Sequence, residues 1–214
     1  MGNHVDTIKE AVIAGKHKEI EELVKKAIKD KADLDAIINE GMIAAMDVVG
    51  QKFSRSEIFV PEMLVSAVTM KKGLDIIKPL LTKDASELSR GTIVMATVKG
   101  DIHDIGKNLV IMMLQGAGFN VIDLGVDIKT EDLIEKVADI KPDILGLSAL
   151  ITTTMLEIKN VIEGLKEKGL REKVKVMVGG APVSMEFAQK VGADAYGKDA
   201  AEAVELARKF MSSM

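Results

Sequence analysis

Residues 98–109 read VKGDIHDIGKNL. Ahead of them lies TIVMATV (92–98), a short apolar, β-branched run that reads as a strand. Behind them GKNLVIMMLQGAG (106–118) has helical spacing and ends at Gly116 or Gly118. A strand, a glycine-flanked loop and a helix in that order open an α/β unit. The loop sets Asp101, His103 and Asp104 between Gly100 and Gly106, in a chain with only 3 histidines and no cysteine.

Downstream the alternation continues. NVIDLG, DILGLSAL, VKVMVGG and ADAYG read as strands. Between and after them, TEDLIEKVADIKP (with Thr130 at its start), TTMLEIKNVIEGLKEKG, SMEFAQKVG and AAEAVELARKFM read as helices. Five strands alternating with five helices over 91–214 predict a parallel sheet covered on both faces, in the flavodoxin-like (Rossmann-like) order 2-1-3-4-5. Such sheets bind ligands beyond the carboxyl ends of the strands, where the order reverses between the first and third. The loop at 98–109 follows the first strand, LSALITTT (147–154) covers the end of the third, and VGGAP (178–182) ends the fourth. All three converge on one edge.

Upstream the period is helical throughout. DTIKEAVIAG closes on Gly15, a C-cap. KHKEIEELVKKAIKDKA sets Ile20, Leu23, Val24, Ala27 and Ile28 on one face, and DLDAIINEGMIAAMDVVGQKF does the same with Leu34, Ile37, Ile38, Met42, Ala45, Met46 and Val49. VPEMLVSAVTMKKGLDIIKPLL opens with Pro61 in its first turn. These four helices predict an antiparallel bundle over 1–82. The polar stretch LTKDASELSRG reads as a linker, 83–90, before the α/β domain at 91–214.

Composition sets the outer limits. With 47% apolar and 29% charged residues the chain reads as a globular protein, and a net charge of −4 leaves nucleic acid without a basic surface to bind. No signal-peptide core and no membrane-length apolar run is present, and Asp6 breaks the myristoylation pattern. The lack of cysteine removes disulfides and thiolate chemistry and points to a cytoplasmic setting.

One histidine without cysteine cannot build a zinc site, but it can supply an axial ligand to a metal already held by a macrocycle. Asp101 can point the same way from an extended loop, fixing the ring's tautomer and raising its basicity. Alone, Asp-x-His reads first as a loop histidine bonded to its neighbour. Ser148 and the Gly179–Gly180 pair are turn residues at strand ends, or small residues that let a large ligand approach the backbone. GDIHDIGKN fails as a phosphate loop, because Asn108 stands where Ser or Thr is needed and two acids would repel phosphate. A receiver-type phosphorylation site would need more acids on the preceding loop.

Together the motifs resemble those of cobalamin-dependent methyltransferases and mutases, which carry D-x-H-x-x-G, then S-x-L, then GG. Here Asp101-Ile-His103-Asp-Ile-Gly106 is followed by Ser148-Ala-Leu150 after 41 residues (107–147), and by Gly179-Gly180 after 28 more (151–178). VVGQKFSRSEIFVPEMLVSAVTMKKG (48–73) looks like the cap bundle that precedes the cobalamin domain in methionine synthase and in free-standing corrinoid proteins. B12-type mutases lack that cap.

The resemblance implies a cobalamin or related corrinoid cycling between cob(I)alamin and methylcobalamin, with His103 as the lower ligand of cobalt. Asp101 would be its hydrogen-bond partner, and Thr154 would extend the relay where methionine synthase has Ser. Ser148 and Thr152 would contact the buried nucleotide tail, Leu150, Gly179 and Gly180 would shape its channel, and Ala200 would add a contact near it. Gly100, Ile102, Asp104 and Gly106 belong to the motif loop on the corrin's lower side. Phe53 and Val60 would cover its upper face from the cap, with Val60 replacing a Leu of methionine synthase. The implied function is a corrinoid methyl carrier that is not self-sufficient. Its partners would be a donor-specific methyltransferase, an acceptor methyltransferase using tetrahydrofolate or coenzyme M, and a reductive activator. Methylamine, methanol, methoxyaromatic (O-demethylase) and betaine systems all use proteins of this shape, with a hinge expected in the linker. The alternative is a cobalamin-binding sensor or storage module without turnover.

Overall fold

Helix α1 (His4–Ile13) buries Ile8, Ala11 and Val12 and stops at Gly15, whose φ is +65°. The N–H of Gly15 donates to Val12 O at 3.1 Å and that of Lys16 to Ala11 O at 2.9 Å, a Schellman ending that only a left-handed residue allows. Helix α2 (Ile20–Lys29) buries Ile20, Val24 and Ala27. The third predicted helix is continuous but not uniform. It starts as α3 (Leu34–Ala36), capped by Asp33, and widens into a π-helical stretch, Ile37–Ile43, before resuming as α4 (Ala44–Ser54). Gly41 sits in that stretch, where a side chain would meet the Val5 carbonyl of α1 at 3.4 Å. Helix α5 (Val60–Ile77) has Pro61 in its first turn, as the sequence predicts.

The computed structural model describes residues 4–80 and 89–212. The chain divides into two compact units, Met1–Ser89 with Gln115–Gly118, and Arg90–Leu114 with Phe119–Met214. Most of the linker expected at 83–90, and the hinge placed in it, lie outside the described residues.

The second unit is a five-stranded parallel sheet in the order β2-β1-β3-β4-β5. Its strands are β1 (Thr92–Thr97), β2 (Asn120–Asp123), β3 (Ile144–Ser148), β4 (Lys175–Gly179) and β5 (Ala195–Tyr196). The expected order 2-1-3-4-5 is therefore the observed one, although β5 is shorter than ADAYG suggested. The helices are α6 (Ile105–Gly116), α7 (Thr130–Ile140), α8 (Met155–Glu167), α9 (Met185–Val191) and α10 (Ala200–Ser212). Ser184 caps α9 by accepting from Phe187 N–H. Val94, Ala96, Leu145, Leu147, Val176 and Val178 on the central strands form a core with Ile158, Val161 and Leu165 of α8. Strands buried on both faces read as unbroken apolar runs, which is why TIVMATV and VKVMVGG lack alternation.

Candidate functional site

Strand β1 ends at Thr97, and the chain turns at Gly100, whose φ of +77° favours glycine. Asp101 follows it into the interior and is only 1% exposed. Its carboxylate accepts four hydrogen bonds. Oδ1 accepts from the His103 backbone N–H at 3.0 Å and from His103 Nδ1 at 2.7 Å. Oδ2 accepts from Leu150 N–H and from Thr154 Oγ1, both at 2.7 Å. Burial opposes ionisation, but these donors, led by Leu150 N–H, outweigh it and hold Asp101 well below the usual carboxylate range.

An ionised carboxylate can only accept. His103 Nδ1 therefore carries a proton, and in the neutral ring Nε2 holds the lone pair. The His103 side chain is 49% exposed, and Nε2 has no partner among the described residues. A ring anchored through one nitrogen and open at the other has the form of a metal ligand tuned by a carboxylate.

The Thr154 hydroxyl also lies 3.0 Å from Ile151 O. It has one proton, and the charged carboxylate at 2.7 Å is the stronger acceptor. Thr154→Val is expected to cost about 1–2 kcal/mol in urea denaturation, while Thr154→Ser keeps the hydroxyl and most of the stability.

The other motifs meet this loop along the sheet edge. Ser148 ends β3, half-buried, and its carbonyl accepts from Val98 N–H at 3.1 Å. Leu150 is exposed just beyond it, and Thr152 is exposed before α8. Gly179 ends β4. Gly180 has φ +122°, and a Cβ on it would overlap the Ala149 carbonyl. Gly106 is different: its φ is not positive, and a Cβ there would meet nothing within 4 Å. Neither backbone nor packing requires glycine at that place. Ile102 (74% exposed) and Ile105 (87%) stand in water beside it. Apolar side chains around open space, next to an unpaired ring nitrogen, fit a large flat ligand that carries its own metal.

One expected residue of the sheet unit lies outside this cluster. Ala200 starts α10 beyond β5, buried and without a bond to the Asp101 network. Phe53 near the end of α4 and Val60 at the start of α5 belong to the helical unit, both half-buried. Asp104 is next to His103 but points into α6, accepting from Asn108 Nδ2 at 3.0 Å. Four residues outside the predicted site set complete the loop. Thr97 Oγ1 donates to His103 O at 3.0 Å, and Asp127 Oδ1 accepts from Gly100 N–H at 2.6 Å. Lys107, which gave GDIHDIGK its likeness to a phosphate loop, is buried against Asp123. Two acids at the end of the second strand, on the edge where the loop lies, were the available cue.

Residues 91–205 match the B12 binding domain family, and residues 5–78 match a second family of the same description. The dimethylamine corrinoid protein of Methanosarcina barkeri is 44% identical over 95% of both chains. A corrinoid protein of Desulfitobacterium hafniense (strain Y51) is 44% identical over 97% of both. Among solved structures, the methanol:cobalamin methyltransferase complex of M. barkeri aligns with a TM-score of 0.90 at 31% identity, covering 100% of this chain and 81% of that one. Fold and site thus define a cobalamin-binding protein with a helical domain ahead of a Rossmann-like one. Within that class, the chain belongs to the corrinoid proteins of the methyltransferase systems, and its cofactor is cobalamin or a related corrinoid. Among the described residues, no helix is long and apolar enough to cross a membrane.

Proposed function

We propose that the chain is a methyl carrier. It takes a methyl group from a small donor through a donor-specific methyltransferase and delivers it through a second methyltransferase to tetrahydrofolate or coenzyme M. A reductive activator restores it after oxidation. One observation carries the reading: His103 is held through Nδ1 by a buried, ionised Asp101 while Nε2 stays open. When bound, the corrinoid supplies the cobalt that takes up and gives up the methyl group.

The chain's own residues do the rest. His103 Nε2 would be the protein's donor to the cobalt. Asp101 Oδ1 keeps the proton on Nδ1, and so keeps the lone pair on Nε2. Thr154 Oγ1 steadies Asp101 from its other oxygen, and so holds the partner of His103 in place. Gly100, Ile102, Asp104 and Gly106 would face the lower side of the corrin, and Ser148, Leu150, Thr152, Gly179, Gly180 and Ala200 its nucleotide tail. Phe53 and Val60 would face its upper side. The donor reading favours methylamines, since the dimethylamine and trimethylamine corrinoid proteins of M. barkeri are 44% and 43% identical to this chain.

The test follows a deuterated methyl group. Holo-protein is mixed under reducing, anaerobic conditions with labelled dimethylamine, trimethylamine, methanol or a methoxyarene, each with its donor methyltransferase. The acceptor methyltransferase and its substrate are added. Label is expected in the acceptor only when the holo-protein is present. If no pair labels the acceptor while the protein keeps its corrinoid, the carrier reading fails and a sensor or storage role takes its place.

A further inference from the structure

Lys107 is a charged side chain almost withdrawn from water, 1% exposed, four residues after His103. Burying an ammonium costs several kcal/mol unless it is paired. Its Nζ lies 2.6 Å from Asp123 Oδ1 and 3.2 Å from Asn108 Oδ1. Asp123 is the last residue of β2, and the same oxygen accepts from Gly125 N–H at 2.9 Å. The Asp123 side chain is itself 39% exposed, so the pair ties a buried cation to the surface turn.

Four residues further on, Asp127 takes the left-handed conformation, φ +54°. Its Oδ1 accepts from Gly100 N–H at 2.6 Å, and its own N–H donates to Asp101 O at 2.9 Å. One turn, 123–127, therefore grips the histidine loop at both ends. Asp127 holds the entry at Gly100 and Asp101, and Asp123 holds the exit at Lys107. His103 lies between the two anchors, and its ring reaches Asp101 within them.

We propose that Asp123 and Asp127 are positioning residues for His103, fixing the loop so that Nε2 is presented to an axial site instead of swinging with a free loop. The proposal rests on His103 being the axial ligand. The anchoring itself is a property of the apoprotein, so the two can fail separately. Charge matters at Asp123, which must neutralise Lys107. At Asp127 only an acceptor oxygen and tolerance of left-handed φ matter, and Asn supplies both.

Lys107→Met, Asp127→Ala and Asp127→Asn test it, with His103→Ala as the control. In the apoprotein, amide hydrogen exchange over 100–104 is expected to rise about tenfold in Lys107→Met and Asp127→Ala, with unfolding still cooperative. Asp127→Asn is expected to match the parent. After reconstitution and reduction to cob(II)alamin, the fraction showing axial nitrogen coupling by EPR is expected to fall in the first two and hold in Asp127→Asn. Unchanged exchange and unchanged coupling in Lys107→Met and Asp127→Ala would overturn the proposal. If the parent shows no coupling that His103→Ala removes, the axial assignment fails and the positioning role with it, whatever the exchange shows. Should Lys107→Met not fold, the contrast between Asp127→Ala and Asp127→Asn decides.

Discussion

Gly180→Ala is expected to cost about 3 kcal/mol or more, or to stop the sheet domain folding, while Gly106→Ala raises the apoprotein's stability by up to about 1 kcal/mol. The two glycines share one sheet edge and one motif set, yet they are glycine for opposite reasons. Gly180 has φ +122°, a backbone state strained for any residue with a Cβ. An added methyl would overlap the carbonyl of Ala149 and lie 2.7 Å from its carbon. Ala149 cannot give way. It is fully buried, and its N–H donates to Gly179 O at 3.1 Å, tying the ends of β3 and β4 together. Relief would have to part the strands. Gly106 lies in the first turn of α6, where glycine weakens the helix and no atom crowds the place a Cβ would take. On the proposed reading, that space would take the corrinoid. Gly106→Ala is therefore expected to lower corrinoid affinity about tenfold while stabilising the empty protein. Denaturation of the apoproteins and titration with hydroxocobalamin measure the two effects. Unchanged affinity in Gly106→Ala would show that the open space serves no ligand.

The same pair shows what a sequence can carry. Asp101, His103, Ser148 and Gly179–Gly180 were legible because their chemistry confines them. The loop with Asp101 and His103 follows the first strand, the small residues end the third and fourth, and the sheet order brings those ends together. The strand order itself followed from apolar runs of strand length alternating with helices. Thr154 was legible only through its likeness to a serine in methionine synthase, yet it stands at 2.7 Å from Asp101. What stayed hidden depends on backbone state and distant partners. Nothing in GVDIKT announces that Asp127 adopts a positive φ, and nothing in GDIHDIGK names the partner of Lys107, which lies 16 residues away.

The helical half makes the same point about geometry. Ile37, Ile38, Met42, Ala45 and Met46 keep a helical apolar stripe, so the periodicity is blind to the wider turns of Ile37–Ile43. Those turns occur where Gly41 meets the backbone of α1 at Val5. Close approach of two backbones is a tertiary fact, and a local pattern does not encode it.

Asp101→Asn keeps the shape of the site and is expected to undo it. The carboxylate has two oxygens, each taking two donors. Asparagine supplies one oxygen and one NH2 group, and the NH2 must face a pair of donors whichever way the amide turns. Facing Leu150 N–H and Thr154, it leaves a buried N–H without an acceptor. Facing His103, it drives the imidazole to the other tautomer, with Nδ1 accepting and the proton on Nε2, and Nε2 no longer offers the lone pair that the proposed ligation would use. The cost in stability is about 3 kcal/mol at pH 7, and the cob(II)alamin EPR spectrum is expected to lose its axial nitrogen coupling in most molecules. The pH dependence separates charge from shape. Asp101 is more acidic folded than unfolded, so its contribution is complete above the unfolded value of about 4 and is lost as pH falls through the lower folded value. The stability gap between parent and Asp101→Asn should be present at about pH 5 and shrink below about pH 4. Denaturation at stepped pH reads that gap directly. A gap that stays flat into acid would mean that the four donors are satisfied equally well by a neutral group, and that the charge on Asp101 does not hold His103.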